Sequence, residues 1–477
     1  MDDIQDKVSK TFCYDGAIQL CSKKTLRGSK TNFVKKQGGF NPDLTTSYLK
    51  ISSMHCSISS VATKNILSLP ALDNCVKPKR IYKKFYYKGE EQKISLKELK
   101  NTVDGRHKFI VFPGNNSEII RNIMSKRPNW DEASHSDFMS ANFIWHPLSY
   151  RLRFDRLLPY LPIQVVNHFE FHNEISNKKN LYNNLFKFCK EKNLSISDIM
   201  PKNFVIDFDS KFLHSEIMLF VCFYKSLKKK GVSNYWIFKP SGLNRGKEIH
   251  VFKSLKVFKV LLENASKRRT DFKSVIVQKY LEKPLLINQR KFDIRVWVLI
   301  THDYKCYFCK NGYIRTSSEN FSLNDSTISN EYIHLTNNAI QKNGSQYGKF
   351  EEGNQLSLNQ LEYHLPVGAI KLPDIIKRMK EIITFTLLSV KKKLNPNKRQ
   401  YCFEIFGYDF IIDEELKVWL IECNTNPCLE ISSKILANII PKMLNQAFCL
   451  TVDKIFPDEN NPSIENPVWE YLTTLQR

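Results

Sequence analysis

Apolar and polar positions alternate with period two from Lys291 to Val298, so that Lys291, Asp293 and Arg295 share one face of a strand and Phe292, Ile294 and Val296 the other. The same period marks Phe403 to Ile412 and Lys417 to Cys423, which flank the acidic turn Asp413-Glu414-Glu415-Leu416 and predict a hairpin. A loop centred between Glu414 and Glu415 sets Asp409 across from Leu420, on the face of Glu422 and Asn424, and a slip of one residue would destroy that face. Further strands are predicted at His107 to Phe112, Phe204 to Phe208, Tyr235 to Lys239, Ile249 to Phe252 and Ser274 to Leu281, the last redirected by Glu282-Lys283-Pro284 as a hinge. Helical spacing predicts Glu118 to Ser125 after a capped turn at Pro113 to Ser117, Lys178 to Lys192 after Ser176 as cap, and a core helix from Leu372 to Lys393 ended by Asn395-Pro396. Strand and helix alternate from Arg106 onward, which indicates an α/β chain. Residues 1 to about 100, rich in Ser, Thr, Lys and Asn without sustained periodicity, are expected to form a largely flexible extension.

Three polar constellations give the pattern chemistry. Asp409, Glu422 and Asn424 offer oxygen donors that suit Mg²⁺, a hard ion needing few protein ligands. An edge hairpin facing solvent is the alternative, but a carboxylate inside WLIECN needs a partner for its charge. The loop Pro240 to Lys247 carries Gly242 and Gly246 beside Lys239, Arg245 and Lys247, which fits a hairpin lid over phosphates or a simple turn. It is not a Walker A loop, because GxxxxGK[ST] is absent. The charges of Lys291, Asp293 and Arg295 form either a polar site or a salt-bridge ladder, and Arg315 and His334 to Asn338 add polar groups. The lone Cys306-Tyr307-Phe308-Cys309 reads as a strand rather than a zinc site.

At 477 residues the chain has room for roughly two to four domains. No apolar run is expected to approach the ~20 residues of a membrane helix, so no membrane partner is expected. The start lacks a signal-peptide core, and with twelve cysteines this points to a reducing, cytoplasmic setting. A net charge of +24 should attract a polyanion: nucleic acid, anionic lipid or an acidic protein tail. Basic clusters at Lys77 to Lys88, Arg151 to Arg156, Lys267 to Arg269 and Lys391 to Arg399 matter only if the fold gathers them.

The ordered run WIFKPSGLNRGK, VIVQKYLEKPLL, KFDIRVWVLI, YIRTSS, IHLTNNAIQK, YGKFEEGN and FGYDFIIDEELKVWLIECNTNP resembles the tubulin–tyrosine ligase and ligase-like family over about residues 105 to 455. The resemblance implies an ATP-grasp fold: an N-terminal extension (1–100), a small N-terminal α/β domain (101–171), a central lobe (172–281), a C-terminal catalytic lobe (282–460) and a tail (461–477). It implies ATP phosphates at Lys239, with Lys178 also among the nucleotide contacts, and adenine at the hinge Gln278, Lys279, Tyr280 and Leu281. Ribose and phosphate would meet Lys291 and Asp293, while His334, Thr336 and Asn337 line the pocket. Arg295 and Arg315 would hold the acceptor carboxylate and stabilise its phosphorylated form. Asp409, Glu422 and Asn424 would bind Mg²⁺, Glu422 also counting as catalytic. The implied reaction makes an amide through an acyl phosphate, on the acidic C-terminal tail of tubulin, in a cytoskeletal setting with cilium or basal body left open. KFDIRVWVLI, YIRTSS and YGKFEEGN lean toward tyrosine as the amino acid added. ECNTNPCLE and NRGKEIHVF depart toward glutamate or glycine. A non-enzymatic basic binder of microtubules or nucleic acid is the other class, and no RNP, zinc-finger or helix-turn-helix pattern supports the nucleic-acid version.

Overall fold

Three β-sheets order the chain in this computed structural model, which describes residues 105–157, 163–366, 368 and 371–476. The expected extension and the Lys77 to Lys88 cluster lie outside the described residues. In the first sheet β1 (His107–Val111), β2 (Trp130–Glu132), β3 (Phe143–Trp145) and β4 (Val165–Val166) pair in parallel in the order β2-β1-β3-β4. The helix α1 (Glu118–Met124) buries Ile119, Ile120, Ile123 and Met124. Ser117 makes no side-chain cap, contrary to expectation. The turn is instead set by Asn115 and Asn116 at φ 49° and 56°, a left-handed conformation that asparagine tolerates. Their amides donate to the Pro427 and Leu429 carbonyls at 3.0 and 2.9 Å, tying this domain to the loop after the predicted hairpin.

Next come α2 (Lys178–Lys192), β5 (Asn203–Asp207), α3 (Leu213–Lys229), β6 (Trp236–Pro240), β7 (His250–Phe252), α4 (Leu255–Lys267) and β8 (Ser274–Lys279). Asn177, not Ser176, caps α2 by accepting from the Lys179 and Asn180 N–H groups, while the Ser176 hydroxyl is bonded to the His172 ring. The four strands form an antiparallel sheet in the order β5-β8-β6-β7, with Phe220 and Phe258 from the helices packed on Trp236 and Phe252.

The largest sheet, eight antiparallel strands, follows: β9 (Leu286–Ile287), β10 (Arg290–Ile300), β11 (Lys305–Cys309), β12 (Tyr313–Asn320), β13 (Gln355–Ser357), β14 (Glu404–Ile412), β15 (Val418–Thr425) and β16 (Trp469–Thr474). Strand β16, expected as part of a tail, pairs with β11. Strand β10 is buried along its whole length, and its two faces differ. Phe292, Ile294, Val296, Val298 and Ile300 enter a core with Leu181 of α2 and with Ile375, Met379 and Ile382 of α5 (Leu372–Val390). On the other face Trp297 and Leu299 join Ile440, Leu444 and Phe448 of α6 (Lys434–Leu450), and the same face turns charged at Arg295, Asp293 and Lys291. The strand thus spans the boundary between core and site.

Two expectations meet this sheet. Cys306 and Cys309 lie in cores on opposite faces of it, and burial pushes both thiols up to about 12, so they are strand residues that cannot share a metal. Against expectation, Lys434–Ile455 (22 residues) is, by length and composition, apolar enough to cross a membrane, an 18-residue window within it having a mean hydropathy of 1.3. Of that window 61% is buried within the fold, with its apolar side against the sheet.

Candidate nucleotide and acceptor site

The β14–β15 hairpin places its acidic residues by an irregularity. Phe410 pairs with Leu420, yet Asp409 pairs with Glu422, so Ile421 is an extra residue in β15. This corrects the register in which Asp409 faces Leu420. An unbroken alternation would send Leu420 and Glu422 to one face; the bulge lets Leu420 and Cys423 enter the core with Phe410 and Tyr408 while Ile421 and Glu422 face the cleft.

Beside it, strand pairing aligns Asp293 with Arg315 and Arg295 with Asp409. Arg295 grips Asp409 bidentately, with its second bond at 2.9 Å. Arg315 bonds both Asp293 oxygens, at 2.7 and 2.5 Å, and reaches Asp409 at 2.8 Å. The four buried groups alternate in sign, so the polar site and the salt-bridge ladder are one object.

The lysines surround the ladder. Lys239 Nζ donates to Gln278 Oε1 at 2.8 Å, and Gln278 is held by Asn203 at 3.0 Å, a support that no sequence pattern marked. Lys291 Nζ donates to the Tyr280 hydroxyl and the His334 carbonyl, both at 3.0 Å. His334 Nε2 faces the Thr327 carbonyl at 3.1 Å and so carries the proton, leaving Nδ1 to accept from the Tyr280 hydroxyl at 2.9 Å. Burial, then Lys291, pushes the His334 imidazole down to about 4, which keeps it neutral. Burial likewise lowers Lys239 to about 8 and Lys291 to about 7. Lys178 Nζ lies 3.2 Å from Glu422 Oε2. Burial raises the Glu422 carboxyl, but Lys178, the Asn424 hydrogen bond and Lys239 outweigh it and hold the group well below the usual range.

Lys178, Lys239, Gln278, Lys279, Tyr280, Leu281, Lys291, Asp293, His334, Thr336, Asn337, Asp409 and Glu422 line one cavity. Its apolar walls, Ile237, Leu335, Ile411 and Ile421, were not singled out from sequence, although Ile411 follows Asp409 by one strand period. The Lys279 ammonium is turned to Glu282 and the Tyr235 carbonyl. Arg295, Arg315 and Asn424 line an adjoining cavity of about 1080 Å³, and Asn244, Arg245, Asn337 and Glu422 border both. The β6–β7 loop runs along that border, with Arg245 on it and Lys247 exposed. At Gly246 φ is +76° and a Cβ would stand 2.3 Å from Ile340 Cδ1, so a side chain there would strain the backbone and push the Ile340 tip aside.

Among the described residues no three His, Cys, Asp or Glu side chains cluster as a metal site. Asp409 and Glu422 bring two carboxylates, and Asn424 Nδ2 donates to them at 3.4 and 2.9 Å. The donor type of this all-oxygen set, once the Asn424 amide is turned, suits Mg²⁺, but Arg295 and Arg315 hold Asp409 and Lys178 holds Glu422, so an ion would have to displace those partners.

Residues 157–462 match the sequence model of the Tubulin-tyrosine ligase family. The chain is 37% identical over 237 residues to Tubulin glycylase 3D of Tetrahymena thermophila, covering 47% of this chain and 22% of that protein. It is 28% identical over 319 residues to the probable alpha-tubulin polyglutamylase Ttll1 of the same organism, covering 64% and 76%. It is 29% identical over 358 residues to the probable tubulin polyglutamylase TTLL9 of Bos taurus, covering 66% and 73%. The chain thus spans about a fifth of the glycylase and about three quarters of the polyglutamylases. None of these three names carries tyrosine as the amino acid added, which moves the reading to the glycine and glutamate alternatives.

Proposed function

Because this chain belongs to the Tubulin-tyrosine ligase family, we propose that it is an ATP- and Mg²⁺-dependent ligase of ATP-grasp architecture that joins glycine or glutamate to the acidic tail of tubulin at the cytoskeleton. One observation carries the reading: the Arg295–Asp409–Arg315–Asp293 ladder is common ground between a narrow lysine-lined cavity and a wide open one. In this reading ATP lies in the narrow cavity, its purine between Ile237, Leu335 and Ile411 at the Tyr280 hinge, its ribose toward Asp293 and its phosphates toward Lys178, Lys239 and Lys291. The acceptor enters from the wide cavity, where Arg295 and Arg315 meet its carboxylate. A carboxylate oxygen attacks the γ-phosphorus and ADP leaves; the amine of the incoming amino acid then attacks the acyl carbon, phosphate leaves and the amine loses a proton. Mg²⁺, held by Asp409, Glu422 and Asn424, would neutralise charge developing on the phosphates. The protein side chains position and neutralise, and no Ser or Cys nucleophile takes part.

Incubation with tubulin, ATP and labelled glycine, glutamate or tyrosine, followed by mass spectrometry of the tails, should show added glycine or glutamate. Tyrosine alone, or no addition by folded protein, would overturn the proposal.

A pH signature follows from the two depressed lysines. Between pH 7 and 9 the folded protein sheds protons from Lys291 and Lys239 that the unfolded chain, with lysines near ~10.4, retains. The unfolded state therefore binds more protons, and these two groups make the ligand-free fold more stable as pH rises. Nucleotide phosphates favour the protonated lysines, so affinity moves the opposite way. The increment in thermal midpoint produced by ATP should shrink from pH 7 to 9, and Lys291→Met should flatten that dependence; an increment that grows over this window rules out the lysine assignment.

A further inference from the structure

We infer that Phe171, flanked by Leu148 and Tyr150, forms a rigid apolar platform on the wall of the wide cavity, and that it takes an apolar side chain neighbouring the modified carboxylate of an acidic acceptor peptide. This rests on the ligase reading above.

Phe171 has φ +59°, a left-handed conformation that is an outlier for a bulky side chain, and the residue is 49% exposed. Both features cost free energy, and neither serves the core. The backbone around it is braced on either side. His168 Nδ1 lies 3.0 Å from Glu404 Oε1, Glu170 takes Asn397 Nδ2 at 2.8 Å and Arg399 at 3.3 Å, His172 Nδ1 meets Ser176 Oγ at 2.9 Å, and Glu174 pairs with Lys393 at 3.0 Å. Every second residue is thus an anchor, and Phe171 stands between two of them, displayed into the cavity.

The neighbouring stretch adds to the same surface. A hydrogen bond between Ser149 Oγ and His172 Nε2 joins the two segments, and Leu148 and Tyr150, on either side of that serine, are 37% and 76% exposed on the same cavity. Exposed apolar groups gathered at one rim mark a contact surface rather than a fold requirement.

Charge and size identify the occupant. Arg295 and Arg315 on the floor are paired with Asp409 and Asp293, Lys342 is paired with Glu430 and Lys178 reaches Glu422, while the border adds Arg245 and the whole chain is +24. The Glu170 carboxylate on the wall is already held by Asn397 and Arg399. At about 1080 Å³ the cavity is at the upper limit of small-ligand sites, which run to roughly 1,000 Å³. A peptide segment with acidic residues for the arginines and one apolar residue for the ring fits both.

The test uses the full chain with ATP, a labelled amino acid, and two synthetic acceptors: an all-glutamate peptide and the same peptide with one glutamate replaced by phenylalanine. The wild type should show a KM for the phenylalanine peptide about 5- to 10-fold lower, the scale of one moderate contact. Phe171→Gly should abolish that preference, leave KM for ATP unchanged and keep or raise the thermal midpoint, since glycine suits φ +59°. Phe171→Tyr should restore the preference. Equal KM values for the two peptides in the wild type, with incorporation intact, overturn the platform and leave the ligase. A Phe171→Gly protein that loses stability while keeping its peptide preference also overturns it, by making the ring structural. No incorporation into either peptide or into tubulin ends the ligase reading and the platform with it.

Discussion

Glu422→Gln should lower amino-acid incorporation by at least about 10²-fold, the scale of losing one preorganised electrostatic contact, while leaving the protein folded with a lowered thermal midpoint. The substitution is isosteric and removes only charge. In the wild type Glu422 stays ionised although buried, because Lys178 lies 3.2 Å away, Asn424 donates to it at 2.9 Å and Lys239 is near. Glutamine keeps an oxygen for Lys178 but can no longer balance two lysines and a divalent ion together. The proposed Mg²⁺ affinity should fall, and turnover with it. Stability should fall too, because the depressed carboxyl contributes to the fold at neutral pH, but Lys178 keeps its bond to the Leu243 carbonyl at 2.9 Å and the protein stays folded. Incorporation assays and thermal unfolding on the same preparation separate the two effects. Wild-type turnover in this variant would remove Glu422 from the metal site.

The site was legible where strand periodicity carries it. The alternation of Lys291, Asp293 and Arg295 put three charges on one face of β10, and Lys178 to Lys192 matched α2 at both ends. The bulge at Ile421 was not legible, because one inserted residue has no periodic signature; what selects it is the competition of Leu420 and Cys423 for the core, which exists only after packing. The cap of α2 shifted from Ser176 to Asn177 for a similar reason: both residues can cap, and His172 takes the serine. The apolar length of Lys434–Ile455 was hidden by Asn438, Lys442, Asn445 and Gln446, which break its runs although an 18-residue window still averages 1.3. Tyrosine was favoured from KFDIRVWVLI and YIRTSS, which build the ladder, and from YGKFEEGN, whose residues line neither cavity. The wide cavity draws on residues near 114, 148, 171, 339 and 428, too far apart in sequence for any pattern to announce it.

Arg315→Met should be the most destabilising substitution in the ladder. Arg315 bonds both oxygens of Asp293 and one of Asp409, and all three side chains are nearly excluded from solvent. Removing it leaves two buried carboxylates sharing one arginine, and breaking a buried pair in this way costs about 3–5 kcal/mol. Arg295 cannot move over, since its bidentate grip on Asp409 is fixed by the β10–β14 register, Arg295 against Asp409. Asp293 would then have to take up a proton, so the variant should lose further stability as pH rises toward neutrality, where an unpaired buried carboxylate must ionise or stay protonated at a cost. Adding Asp293→Asn removes the orphaned charge and should recover a large part of the midpoint. Incorporation should stay lost in both variants, because the guanidinium that meets the acceptor carboxylate is gone. Denaturant unfolding across pH and incorporation assays on the single and double variants read the two consequences separately. A single variant within about 1 kcal/mol of the wild type, the worth of an exposed pair, would mean that the ladder is solvated and does not hold the floor of the cleft.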